Sequence, residues 1–176
     1  MSHQGQNPAP LITQSMPHLS SGSLVLDLAC GYGRNGLALA REGHVVWFAD
    51  RDAEALASIQ TTLDAERLSG VTWHLDLENQ PEPLGDRQFD AIVVCHYLHR
   101  PLLPALVSAL RPGGLLIYET FTTDNRQFGR PNNPAFLLAP NELASAFASL
   151  TAIHYREGIW RNPDRATAQL IARKAS

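Results

Sequence analysis

Residues 26–36 read LDLACGYGRNG and continue an apolar run that begins at Leu24. Gly31, Gly33 and Gly36 stand at the G-x-G-x-x-G spacing of a strand-to-helix turn that receives a dinucleotide. Glycine suits such a turn because the backbone can approach a ligand closely, and Gly31 is free to take a positive φ. Yet Asp27 sits inside the apolar run. A carboxylate there repels a pyrophosphate and attracts a cation. The stretch therefore poses two readings, an anionic dinucleotide or a ligand that carries positive charge.

Working outward, strand-like and helix-like segments alternate. SLVLDL (23–28) is a strand, and RNGLALAREG is a short helix that Gly43 stops from the C′ position. HVVWFA (44–49) has the continuous β-branched and aromatic character of a buried parallel strand. Asp52 is placed to cap a helix that repeats Leu56, Ile59 and Leu63 at helical spacing. VTWHL (71–75) and FDAIVVC (89–95) are strands, separated by an acidic, proline-containing loop at 76–88. Pro101 suits the first turn of a helix presenting Leu102, Leu106 and Leu110, after which RPGG leads into LLIYET (115–120). A long loop spans 121–139 before the helical APNELASAF. LTAIHYRE (150–157) and ATAQLIAR (166–173) are joined by a short loop, so they are expected to pair antiparallel.

This alternation predicts an α/β fold, a doubly wound parallel sheet with helices on both faces. One domain is expected over 21–176. Residues 1–20, rich in Pro, Gln, Ser and His, are expected to form a flexible N-terminal segment with a short helix around 11–18.

Composition excludes several functions. The net charge is −3 with no basic stripe, which argues against dedicated nucleic-acid binding. No apolar run approaches the roughly 18 residues of a membrane span. No lysine or arginine precedes Arg34, so the start lacks a signal peptide's basic region, and a cytoplasmic location is expected. Lys174 is the only lysine, which leaves no candidate for a P-loop or Schiff-base lysine. Cys30 and Cys95 fit neither a disulfide framework nor a structural zinc spacing, and no metal site is expected.

In such sheets the ligand lies beyond the carboxyl ends of the strands. Asp50 follows the second strand ~20 residues past Gly31, the usual place of an acid that accepts hydrogen bonds from a ribose diol. A vicinal diol offers two donors, and a carboxylate offers two oxygens to match. Because Asp52 is the better helix cap, Asp50 is left for that role. Asp76 follows the third strand, where a carboxylate can accept from an adenine amine. S-adenosylmethionine, with an ammonium, a sulfonium and an adenosine, satisfies all three acids.

The segments VLDLACGYGRNGLALA, FADRD, HLDLE, FDAIVVCHYLHR and RPGGLLIYETF run in the order and spacing of the class I S-adenosylmethionine-dependent methyltransferases, which this chain resembles over about residues 23–121. Its glycine stretch with GRN is similar to the tellurite-resistance (TehB-like) branch. The resemblance implies a Rossmann-like seven-stranded sheet, mostly parallel with an antiparallel C-terminal strand. It implies S-adenosyl-L-methionine as cofactor, with Asp27 and Gly31 to Gly33 at the methionine end, Asp50 on the ribose, and Asp76 with the backbone of Leu77 on the adenine. Cys95 and His96 would line the methyl-donor side. The full expected cofactor-binding set adds Ala29, Cys30, Arg34, Asn35 and Arg51. Cys30 stands where a glycine is more common.

In-line methyl transfer to a small-molecule acceptor needs a base only if the acceptor must lose a proton. His96 is a candidate base, or it packs against the cofactor; Glu119 is the better polar candidate beside the core-like Tyr118. The 121–139 loop, stiffened by Pro131 and Pro134, is expected to be an ordered lid. Arg100, Arg126 and Arg130 are candidates for a cationic rim around an anionic acceptor, or are solvated surface residues. Cys30 and Cys95 are expected to be reduced packing residues on neighbouring strands. Two alternatives stand beside this reading. An NAD(P)-dependent oxidoreductase using Gly31, Gly33 and Gly36 leaves Asp27 unexplained, and a non-catalytic cofactor-binding module would share the same acids.

Overall fold

The computed structural model describes residues 7–176. Seven strands, β1 (Leu24–Leu28), β2 (Val45–Asp50), β3 (Gly70–His74), β4 (Phe89–Cys95), β5 (Leu110–Phe121), β6 (Thr151–Trp160) and β7 (Arg165–Arg173), form one sheet in the order β3-β2-β1-β4-β5-β7-β6. Strands β1 to β5 pair parallel, and β7 runs antiparallel to both β5 and β6. The expected hairpin of the last two strands is present. The chain winds from β1 out to β3 and returns to β4 on the other side of β1. That reversal opens a crevice at the carboxyl ends of β1 and β4.

Two apolar layers cover the sheet. On one face lie α1 (Pro10–Ser15), α2 (Arg34–Arg41) and α3 (Ala53–Glu66), whose Ile12, Leu37, Leu39, Ile59 and Leu63 pack on Val25, Val46, Phe48 and Val93. On the other lie α4 (Leu103–Ala109) and α5 (Glu142–Ala146), with Leu103, Leu106, Leu143 and Phe147 packed on Leu26, Ile92, Leu116 and Tyr118. Asp52 caps α3 as expected, its side chain accepting from the amides of Glu54 and Ala55. Residues 100–102 form a 3-10 turn ahead of α4, and Leu110, expected on that helix, instead begins β5.

A flexible segment is expected over residues 1–20. Residues 1–6 lie outside the described residues. From Ala9 onward the chain is packed: Leu11 and Ile12 are buried, and the Ala9 amide donates to Asn35 Oδ1 at 2.9 Å. Burying two such aliphatic side chains is worth about 1.5–3 kcal/mol each, enough to hold a single helical turn on the sheet. The helix itself falls where expected, with a 3-10 turn (Met16–His18) continuing it.

Candidate functional site

The glycine turn works by backbone shape and by what it excludes. Gly31 and Gly33 take φ of 54° and 77° between β1 and α2. A Cβ at Gly31 would meet nothing within 4 Å, so its backbone faces open space. Gly36 is different: a Cβ there would lie 2.4 Å from Phe48 Cε1 and 2.6 Å from Asp27 Oδ2. Its bare backbone lets α2 settle onto β2 and brings its amide to Asp27, which accepts at 2.9 Å. Asp27 is 2% exposed, and burial raises its carboxyl to about 7. The buried carboxylate thus occupies the amino end of α2, the place where a dinucleotide turn receives pyrophosphate.

Two non-glycine residues with positive φ flank the crevice, Ala29 after β1 at 52° and His96 after β4 at 56°. Such conformations cost of order 1 kcal/mol or more and persist where surroundings impose them, often at functional sites.

A cavity of 540 Å³ opens there. Its wall includes Ala29, Gly31, Asp50, Arg51, Asp76, Leu77 and His96 from the expected set, joined by Glu78, Tyr97, Thr120, Phe121, Pro131 and Phe136. Asp50 accepts from Gly31 N at 2.8 Å through Oδ2 and from Asp52 N at 2.9 Å through Oδ1. Each oxygen has a second lone pair for a ligand. Asp76 Oδ1 accepts from Glu78 N at 3.0 Å, and the Asn79 amide bonds Oδ2, holding Asp76 below the ordinary carboxylate range. Three carboxylates against the single Arg51 give this wall a negative balance.

The remaining expected residues stand behind the wall. Asp27, Gly33 and Asn35 are buried beneath the turn, and Cys30, Arg34 and Cys95 are half-buried. Burial pushes the Cys95 thiol up to about 11 and raises Cys30 further. Both cysteines are free thiols.

On the β4–β5 side, the His96 ring rests on Phe121 with centroids 4.6 Å apart, and desolvation holds its imidazole below the ordinary value. Glu119 is 3% exposed, with Oε2 accepting from Thr167 Oγ1 at 3.0 Å and Gln169 Nε2 at 2.6 Å. It lies under the cavity wall rather than on it. Tyr118 is a core residue whose hydroxyl donates to the Tyr97 carbonyl at 2.8 Å, while the Tyr97 hydroxyl donates to Glu78 Oε1 at 3.3 Å.

The loop after β5 is ordered. It contains 3-10 turns at Thr123–Phe128 and Pro134–Phe136, and Thr123 N and Leu138 N bond the carbonyls of Leu138 and Phe121. Asn125 Oδ1 accepts from Ala166 N at 3.0 Å, tying the loop to β7. Pro131 and Phe136 reach the cavity from this loop.

The cationic rim is not assembled. Arg100 is engaged elsewhere: Nε donates to Glu142 Oε1 at 2.6 Å, Nη2 to Glu142 Oε2 at 3.0 Å and to the Leu137 carbonyl at 2.9 Å. Nη1 donates to the Ala135 carbonyl at 3.2 Å. Arg126 and Arg130 are exposed, and neither lines the cavity. Sequence spacing gave no sign of this arrangement, because the partner carboxylate is 42 residues away.

Comparison with known proteins bears on this geometry. Residues 25–114 match the family model described as "Methyltransferase domain". The probable S-adenosyl-L-methionine-dependent methyltransferase TehB of Haemophilus influenzae is 29% identical over 145 residues, covering 77% of this chain and 48% of that protein. The chain spans about half the length of the curated relatives it matches. The crystal structure of TehB from Haemophilus influenzae superposes with a TM-score of 0.80 at 23% identity, covering 98% of this chain and 64% of the other. The N-methyltransferase NodS from Bradyrhizobium japonicum WM9 gives a TM-score of 0.71 at 18% identity, covering 94% of each chain. These structural likenesses concern the fold.

Proposed function

Because this chain belongs to the methyltransferase-domain family, we propose that it binds S-adenosyl-L-methionine in the β1–β4 crevice and transfers its methyl group to a small-molecule acceptor. The observation that carries this reading is Asp27. Its carboxyl already accepts the Gly36 amide at 2.9 Å, so a helix-end amide that a dinucleotide turn would offer to pyrophosphate is taken, and the charge it carries once ionised is negative. A pyrophosphate would meet that charge, whereas a cationic ligand is attracted. This weighs against the NAD(P)-dependent oxidoreductase.

The residues present fit the cofactor. Asp50 has lone pairs for a ribose diol, and Asp76 with the Leu77 backbone is placed for an adenine edge. Ala29, Cys30, Gly31, Gly33, Arg34 and Asn35 shape the turn on the methionine side, supported from beneath by Asp27. Arg51 flanks the nucleoside, and Cys95 and His96 stand toward the methyl-donor side. When bound, the cofactor supplies an electrophilic methyl on a sulfonium. The chain's own contribution is to orient the acceptor and exclude water, and such orientation can supply about 7–11 kcal/mol of a barrier.

His96, Tyr97, Phe121, Pro131 and Phe136 give the acceptor side an apolar, aromatic wall. That wall suits a flat or apolar acceptor body better than a bare oxyanion. Of the catalytic candidates, His96 lies at the cavity, and desolvation holds its imidazole below the ordinary value, which favours the neutral form a proton acceptor requires. Glu119 is buried beneath the cavity wall, and Arg130 stands outside the cavity. No helix among the described residues is long and apolar enough to cross a membrane; we take the cytoplasm as its place of action.

Calorimetric titration with S-adenosylhomocysteine and with NAD tests the proposal. Binding of the former alone is expected. NAD binding with no heat from S-adenosylhomocysteine would overturn it. A panel of thiol, phenol and amine acceptors, read by release of S-adenosylhomocysteine, separates the enzyme from a non-catalytic binding module.

A further inference from the structure

Sequence spacing sets Glu119 apart from Cys95 and His96 and predicts no metal site. The fold brings one ligand atom from each to within 4.8 Å of the others. The parallel register of β4 and β5 pairs Cys95 with Glu119, so their side chains leave the sheet side by side. His96 follows at once and would ordinarily point to the opposite face. Its φ of 56° breaks that alternation, its amide bonds the Glu119 carbonyl at 2.8 Å, and Phe121 supports its ring.

We propose that Cys95 Sγ, a His96 ring nitrogen and a Glu119 carboxylate oxygen form a site for one divalent transition-metal ion of the zinc type, with an open coordination position toward the cavity. The spacing supports it. Two donors on one tetrahedral zinc stand about 3.3–3.6 Å apart, given bonds of about 2.0–2.3 Å. The trio's donor atoms lie within 4.8 Å of one another, so small side-chain rotations would bring them to that separation, and among the described residues no hydrogen bond joins any two of these side chains. Glu119 is prepared as a ligand: Thr167 and Gln169 both donate to Oε2 and fix the carboxylate, while Oε1 accepts no hydrogen bond from the described residues. Such outer hydrogen bonds orient the ligands of protein metal sites.

Charge and chemistry also agree. Binding the ion breaks the Cys95 S–H bond, forms a sulfur–metal bond and releases one proton to solvent. The thiolate and Glu119 then balance the two charges of the ion. The guanidiniums of Arg34 and Arg165 are the cations whose fields reach His96. They oppose a hard cation bound by charge alone, so selectivity should rest on the sulfur and nitrogen donors, favouring zinc or cobalt over magnesium or calcium. With His96 on the cavity wall, the open position would take a thiolate or oxygen anion of an acceptor.

The test uses the untagged, metal-free full chain without cofactor, titrated with Co²⁺ and then Zn²⁺. One Co²⁺ per chain is expected, with a sulfur-to-cobalt charge-transfer absorption, release of about one proton and displacement by Zn²⁺. Cys95→Ser should abolish the charge-transfer band and weaken binding at least about tenfold, and His96→Gln and Glu119→Gln should weaken it about tenfold or more. Cys30→Ser should retain the band, which assigns the sulfur. Circular dichroism confirms that each variant is folded. Cobalt binding without the band, no stoichiometric binding, or unchanged affinity in folded Cys95→Ser and Glu119→Gln would overturn the site. Since no cofactor is present, this outcome is independent of whether S-adenosylhomocysteine binds.

Discussion

On the β1–β2 side of the crevice, Asp27 and Asp50 accept from backbone amides of the glycine turn, 9 and 19 residues away. On the β4–β5 side, Glu119 accepts from the side chains of Thr167 and Gln169, 48 and 50 residues away on another strand. The first half is built from main-chain donors that substitutions elsewhere leave in place. The second depends on side chains from β5, β7 and the loop at 121–139, any of which can change without disturbing the turn. This contrast suits a site that keeps one cofactor and varies its acceptor. If the halves are as separable as their bonding suggests, a change in one should leave the other intact.

The largest effect is expected at Asp27. Burial raises its folded-state value to about 7, above the ordinary aspartate range. Between the unfolded and folded values the folded chain holds a proton that the unfolded chain has lost. The associated stability is present in full below about pH 4 and is lost as pH rises through about 7, on the order of 4 kcal/mol in total. Asp27→Asn keeps an acceptor for Gly36 but never ionises. Its Tm should exceed the parent's by roughly 10 °C at pH 8, with the gap closing near pH 4. Thermal melts across that range measure it. Parallel pH profiles for the two proteins would mean that the buried charge is compensated and that the turn is less self-contained than argued.

Asp50 comes next. Asp50→Ala removes the acceptor for Gly31 and, in the proposed complex, two bonds to the ribose, so S-adenosylhomocysteine should bind about 100-fold more weakly. Calorimetry reads this directly, and an affinity within threefold of the parent would remove Asp50 from the cofactor site. Gly36→Ala should cost about 2 kcal/mol, because the new methyl meets Phe48 and the Asp27 carboxylate. Denaturant titration checks it. A variant as stable as the parent would show that α2 shifts easily on the sheet.

The same division decides what could be read from the chain. Strand β2 is an apolar run that ends at Asp50, β1 and β4 are apolar runs each broken by one aspartate, and Asp50 and Asp52 hold places fixed by the turn and the next helix. Their roles depend on neighbours a few residues away, which local pattern records. The packing of Leu11 and Ile12 was hidden, since one apolar turn among polar residues gives no sign of the surface it meets. The convergence of Cys95 with Glu119 required the β4–β5 register, and the turn of His96 required a positive φ that histidine seldom adopts. Arg100 was grouped with Arg126 and Arg130 by charge alone, although Glu142 and two carbonyls claim it.

Arg100 therefore gives the smallest and most local test. Its ion pair with Glu142 is partly exposed, at 42% and 23% for the two side chains, so the pair itself is worth about 1 kcal/mol or less. Global stability of Arg100→Ala should fall by a comparable amount. The loop should respond more strongly, because the same guanidinium also bonds the carbonyls of Ala135 and Leu137. Hydrogen exchange at 122–139 should accelerate several-fold, while amides of β1, β2 and α2 stay protected. Arg100→Lys keeps the charge but not the planar fork that reaches Glu142 and both carbonyls together, so it should resemble the alanine variant in exchange more than the parent. Acceleration that spreads into α2 would show that the loop and the glycine turn form one cooperative unit, and the proposed independence of the two halves would fail.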